Sequence, residues 1–345
     1  MQVKSQKTTL FIFLFLLLAG AFVADLAIGS VAIPARDIVN ILFTGQAARP
    51  EWRTILIDFR LPRAITAILA GTALSVSGLQ MQTIFRNPLA GPFVLGISAG
   101  ASLGVAILVM GFTIAGASLS FGFLSNWTIV GAAWIGSGLI LMLILLISAR
   151  IRDIMTILIL GIMFGSAASA VVSILQYFSN EAMLKIFIIW TMGSLGNVTY
   201  SQMQVLVPGI VAGLIIAFSL SKILNALLLG ENYAVSMGLN IKIARILIFL
   251  STSLLAGTIT AFCGPIGFIG IAVPHLTRLF FKTSDHRILI PASMLIGSVI
   301  LIFSDIVSQL PGYDATIPIN SVTALLGIPV VIWIILKNRK FSSLG

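Results

Sequence analysis

Apolar runs of about 20 residues with almost no charge in them constrain this chain more than anything else in its sequence. Residues 10–28 hold a single charge, Asp25, near their end, and residues 127–148 hold none. A run of that length crosses a hydrocarbon core of about 30 Å at about 1.5 Å per residue. Inside lipid each backbone N–H and C=O must be satisfied within the segment, which leaves a helix as the solution for such runs. Only 9% of the 345 residues are charged and 59% are hydrophobic, against about 25% charged in an ordinary soluble domain. The chain is an all-α, polytopic membrane protein.

Charged, proline-rich and glycine-rich breaks divide it into about ten transmembrane helices, near 10–28, 63–83, 93–112, 127–148, 154–176, 203–220, 243–262, 266–281, 288–310 and 319–336. The eighth is short, and "FIIWTM" at 187–192 is a further apolar piece too short to span. Residues 1–345 read as one transmembrane domain, with an outer loop at 29–62 and an inner region at 221–242. "AGA" at 19–21 has the look of a signal-peptidase site, but many spans follow it, so an uncleaved first helix is expected.

An even number of spans puts both termini on one side. With Lys4 and Lys7 in the cytoplasm, the inner segments hold Arg86, Arg150, Arg152, Lys222, Lys242, Arg245, Arg278, Lys282, Arg287, Lys337, Arg339 and Lys340. Fourteen of the 20 basic residues then lie inside. Of the other six, Lys185 stands alone and Arg36, Arg49, Arg53, Arg60 and Arg63 share the 29–63 stretch. This asymmetry places both termini in the cytoplasm. The net charge of +10 is thereby a topology signal, and no nucleic-acid partner is expected.

Arg60 and Arg63 sit in "DFRLPRAITAILAG", residues 58–71, at the mouth of a long apolar run and on the side where basic residues are scarce. One reading is snorkelling of long side chains to the interface. The other is a positive patch offered to an acidic partner.

Small residues recur at four-residue spacing, Gly96, Gly100 and Gly104 in the third span and Gly161 and Gly165 in the fifth. Such spacing lets helix backbones approach closely in lipid. "AGTALSVSG" at 70–78 and "AGTITAFCG" at 256–264 match at four of nine positions. Their helices run in opposite directions in this topology, as an inverted repeat would have them.

Several chemistries are missing from the sequence. It has no G-x-x-x-x-G-K-[ST] phosphate loop, and His275 and His286 are too isolated from acidic residues to hold a metal. Cys263 is the only cysteine, and no Ser/His/Asp or Cys/His arrangement suggests a catalytic residue. The carboxylates keep to span ends, with Asp25 in the first span and Asp305 in the last third of the ninth. A secondary carrier driven by protons or sodium would use Asp305 as its coupling group. Ser166, Ser169, Ser173 and Gln176 in the fifth span are candidates to line a neutral path, the alternative being bonds to their own backbone. The longest inner loop, "SKILNALLLGENYAVSMGLNIKIAR" at 221–245, reads as two short helices, able to lie in the headgroup plane or to enter a groove on a partner.

Five ordered blocks carry a family resemblance over nearly the whole chain: "RLPRAITAILAGTALSVSGLQMQTIFRNPLAGPFVLGISAGA" at 60–101, "LGENYAVSMGLN" at 229–240, "GPIGFIGIAVPHLTRL" at 264–279, "DHRILIP" at 285–291 and "TALLGIPVVIWIILK" at 323–337. The sequence resembles the iron–siderophore and cobalamin permeases, the transmembrane subunits of type II ABC importers. The resemblance implies a homodimer with a pathway on its axis, two copies of a cytoplasmic ATPase that bind ATP and Mg, and an extracytoplasmic binding protein. It implies no cofactor in this chain and a place in the bacterial cytoplasmic membrane, among membrane lipid. Translocation of a metal chelate follows, a ferric siderophore first, with haem or cobalamin as alternatives. It also assigns Gly230, Glu231, Ala234 and Gly238 to ATPase coupling, and Arg60 and Arg63 to binding-protein docking. Two positions depart from the pattern. Gln309 stands where the cobalamin permease carries a third docking arginine, which shifts weight to Arg60, Arg63, Arg49 and Arg53. Asn320 stands where the family usually has glycine.

Overall fold

In a computed structural model, residues 2–29, 31, 33–111, 125–148, 150–151, 153–309 and 316–342 are described. Among them seven helices are long and apolar enough to cross a membrane, and three shorter apolar helices accompany them. The long ones are α1 (Gln2–Ala27), α4 (Leu61–Ile84), α6 (Asn126–Ser148), α7 (Ile154–Phe178), α9 (Tyr200–Ser219), α12 (Ile241–Cys263) and α14 (His286–Ser308). The shorter ones are α5 (Ile97–Ala106), α13 (Ile269–Phe281) and α15 (Ile319–Ser342). These fall on the ten expected segments. Between them lie α2 (Ala35–Thr44), α3 (Pro50–Thr54), α8 (Glu181–Thr191), α10 (Ser221–Leu229) and α11 (Glu231–Ser236). The apolar piece at 187–192 belongs to α8, which does not span.

Helix starts follow from local chemistry. Asp153 accepts from the N–H groups of Met155 and Thr156 ahead of α7, and these bonds with the Thr156 hydroxyl hold its carboxyl below the usual range. Thr199 and Gln202 form a reciprocal capping box ahead of α9, and Asn240 caps α12.

The two helices with matching nine-residue segments, α4 and α12, are the most deeply buried spans. Helix α4 is the axis of the bundle, with α9, α12, α13 and α14 against it and α1 behind α14. Small residues make this possible. A Cβ at Gly71 would strike the backbone of Gly297 in α14, and one at Gly78 would strike the backbone of Gly270 in α13. The third-span glycines serve the same purpose: Gly100 meets Gly136 of α6, and Gly104 meets Ala132. Between the helices run buried polar ties. Gln80 donates to Ser251 at 3.0 Å and accepts from Thr252 at 3.0 Å, while Ser251 donates to the carbonyl of Gly213 at 2.8 Å. Three spans are thereby joined with no polar group of the glutamine left bare.

A leucine at Gly78 is expected to abolish the monodisperse peak in detergent size-exclusion chromatography. Overpacking a full core costs about 1–3 kcal/mol, and here the obstacle is backbone. Gly20→Leu, which meets nothing within 4 Å, should leave the peak unchanged.

Candidate functional site

The polar chemistry gathers at two opposite ends of the bundle. At the first, the ends of α1 and α14 meet the start of α4. A π-helical turn, Ile55–Arg60, leads into α4 and turns Arg60 inward, where it is 7% exposed. Its guanidinium donates to the carbonyls of Leu26 at 2.8 Å and Ala27 at 3.1 Å, and to that of Val31. Leu26 and Ala27 carry open carbonyls at the end of α1, Val31 lies in the loop beyond it, and a cation satisfies them well. Arg63 makes a two-pronged pair with Asp305, through Nε at 2.8 and 2.9 Å and Nη2 at 2.8 Å. Gln309 is buried and its amide donates to both Asp305 and Asp25, each at 3.0 Å. Arg60, Arg63 and Gln309 are thus brought together, but not as the open rim that a docking patch suggests. The arginines on the surface of this end are Arg36, Arg49 and Arg53, with Arg49 stacked 5.2 Å over the Trp52 ring.

At the second end lie α10 and α11. Gly230 joins them at φ 124°, and Gly238 closes the segment at φ 82°, backbone positions that L side chains rarely adopt. Ala234 is fully buried. Glu231 accepts from Arg245 Nη2 at 2.7 Å, so the start of α11 is tied to α12. The outer face is largely apolar: Leu229, Tyr233, Val235 and Met237 are each more than half exposed, with Asn232 and Ser236 exposed among them. A cleft of about 540 Å³, lined by Arg86, Met155, Glu231 and Tyr233 among others, runs beside it. The four coupling candidates therefore form one unit, with Glu231 partnered inside the chain.

Ser166, Ser169 and Ser173 lie exposed along α7, and Gln176 is half-buried at its end. Ser166 donates to Ile162 and Ser173 to Ser169, both at 3.0 Å through backbone carbonyls, so the backbone-bonded alternative describes these two. Asn320 has a clear role: its Oδ1 accepts from the N–H of Gly267 at 2.9 Å, a bond that glycine could not make. The pairings of Asp305 with Arg63, Asp25 with Gln309 and Arg245 with Glu231 were not foreseen in the sequence because the two members lie 242, 284 and 14 positions apart. Among the described residues no group of three or more His, Cys, Asp or Glu could hold a metal.

This arrangement is that of an importer permease. The chain superposes on the inward-facing conformation of a metal-chelate type ABC transporter with a TM-score of 0.82, at 29% identity, covering 96% of this chain and 99% of that one. PsaBC from Streptococcus pneumoniae, in complex with Fab, shares the fold at TM-score 0.51 and 17% identity, covering 86% of this chain and 94% of that one. The vitamin B12 import system permease protein BtuC of Salmonella typhi is 39% identical over 285 residues, 82% of this chain and 84% of that protein. Its counterpart in Salmonella newport (strain SL254) matches equally well, at 39% over 82% of this chain and 84% of that protein. The FecCD transport family matches residues 15–337, and the chain belongs to that family. It is a multi-pass membrane permease and not an enzyme.

Removing one partner of a buried ion pair costs about 3–5 kcal/mol. Arg63 keeps 19% of its side chain exposed while Asp305 keeps none, so Asp305→Ala should fall toward the lower end of that range. Thermal unfolding in detergent should show the loss, and Arg63→Met with Asp305→Leu should recover most of it. Full additivity of the two changes would show that the pair contributes nothing.

Proposed function

We propose that this chain is the transmembrane subunit of an ATP-driven importer of a metal chelate. It works as a homodimer with two cytoplasmic ATPase subunits, which bind ATP and Mg, and an extracytoplasmic binding protein. The observation that carries this reading is the α10–α11 segment. It is anchored from within by Ala234 and the Glu231–Arg245 pair, yet it holds an apolar face to water at one end of a membrane bundle. A short helix held in that way fits a groove on a partner. Basic residues near this end support a cytoplasmic position for it, together with both termini. Ser166, Ser169, Ser173 and Gln176 face the dimer axis in this reading.

A ferric siderophore is the cargo expected from the family resemblance, with haem or cobalamin as alternatives. The name of the 39% identical relatives favours a corrinoid, so both cargo types belong in the transport test. A proton-driven carrier has less support. Asp305, the acid it would use, is held by the Arg63 fork and by Gln309.

Docking of the binding protein is proposed on Arg49, Arg53 and the partly exposed Arg63, with Arg60 and Gln309 holding the frame behind them. Exposed charge pairs are each worth about 0.2–1 kcal/mol, so reversing Arg49 and Arg53 to Glu should weaken binding-protein association on the order of tenfold at low salt. The difference should shrink as salt screens the contact. An affinity unchanged by both reversal and salt would remove electrostatic docking from the account.

Glu231→Arg is expected to lose the ATPase on co-purification in mild detergent. Val235→Arg, on the exposed face, should do the same without touching the Arg245 pair. Retention of the ATPase by both variants would move the coupling site elsewhere.

A further inference from the structure

The "DHR" at 285–287 takes no part in either surface described above, yet its histidine is fully buried. The backbone N–H of His286 donates to Asn225 Oδ1 at 2.8 Å, and its ring Nδ1 lies 2.7 Å from the same oxygen. That oxygen only accepts, so Nδ1 carries the proton and the bare Nε2 faces the Thr83 hydroxyl 2.8 Å away, whose single proton it shares with the Leu79 carbonyl, also at 2.8 Å. The other end of the Asn225 amide donates to Asp285 at 2.7 Å, which fixes its orientation. This bond is the main reason the Asp285 carboxyl sits below the usual carboxylate range.

One asparagine in α10 is thus bonded to the first turn of α14 and, through an imidazole, to the last turn of α4. Arg86 adds a second tie, donating to the Leu227 carbonyl at 3.2 Å. The end of α4 is gripped from other sides as well. Gln82 accepts from Arg278 at 2.6 Å and donates to the Ile271 carbonyl at 3.0 Å. From there α4 and α14 run together as one body, backbone to backbone at Gly71 and Gly297, with Thr72 and Ser298 hydroxyls 3.0 Å apart. The far ends of the same two helices carry Arg63 and Asp305.

We infer that Asn225 and His286 are positioning residues, the joint that delivers a displacement of α10–α11 to the α4–α14 pair and so to the Arg63–Asp305 end. Coupling through a protein needs a contiguous packed or hydrogen-bonded route between elements that shift as bodies. The Asn225–His286–Thr83 bridge supplies the link between the short coupling helices and the long ones. The inference rests on the reading of α10–α11 as the ATPase contact.

The test is two spin-label distances in the assembled complex with its ATPase, nucleotide-free and trapped with ADP–vanadate. A near pair at Lys222 and Met155 reads α10 against α7 while leaving the outer face of α11 unlabelled, and a far pair at Phe59 and Tyr177 reads the opposite end; all four sites are exposed. In the wild type both pairs should shift with nucleotide. In Asn225→Ala the near shift should persist and the far shift should be lost. Asn225→Asp combined with Asp285→Asn keeps an acceptor oxygen for His286 without setting two carboxylates 2.7 Å apart, and should restore the far shift. Thr83→Val, which removes only the hydroxyl, should weaken it and provides the reading should Asn225→Ala not assemble. A far shift of wild-type size in Asn225→Ala or in Thr83→Val overturns the joint. Broadening of both pairs without nucleotide would show a purely structural role and overturn it equally. A wild-type near pair that ignores nucleotide would sink the coupling reading itself.

Discussion

Lipid tails are as apolar as leucine, so burial alone does not draw membrane helices together. Cohesion here depends on backbones that touch. Where α4 crosses α13 and α14, glycine faces backbone on both sides, and a single methyl group has no room. Close approach gains dispersion over many atom pairs and lets short polar side chains reach across. Thr72 of α4 meets Ser298 of α14 only because the axes are this near. The ten segments form one bundle around α4 for that reason.

The same economy of polar groups sets what the protein can do. Charge inside the bundle is costly unless paired, and both ion pairs found among the described residues stand at the ends, Arg63 with Asp305 and Arg245 with Glu231. Among the described residues no free acid is left in mid-span to relay a proton, and no phosphate loop is present in the sequence. In the proposed reading energy enters mechanically, through a surface. The α10–α11 segment has the properties this requires. It is rigid where it meets the bundle and apolar where it faces outward.

The architecture was legible in the sequence because lipid enforces it locally: charge-free length gives the spans, and four-residue glycine spacing gives the contacts. The 221–245 loop read as two short helices, which α10 and α11 are. The placement of Arg60 and Gln309 was not legible. An arginine at a span end reads as exposed unless the chain's own carbonyls reach it, and Leu26, Ala27 and Val31 lie about 30 positions earlier. Asp305 read as a lone acid because its partner is 242 positions away. Asn225 carried no signal in the sequence, since an asparagine in an inner loop is ordinary until the structure sets His286 against it. Asn320 is the reverse case, a departure from the family pattern whose role became clear once Gly267 was seen beside it.

The central claim is that movement of cargo is driven by nucleotide and not by an ion gradient. Proteoliposomes holding the chain with its ATPase and binding protein decide it, with uptake of radiolabelled cyanocobalamin and of a radiolabelled ferric hydroxamate followed in parallel. The account predicts uptake of at least one that requires ATP and Mg on the ATPase side and survives a protonophore. Uptake that proceeds without ATP and collapses with the protonophore would contradict it.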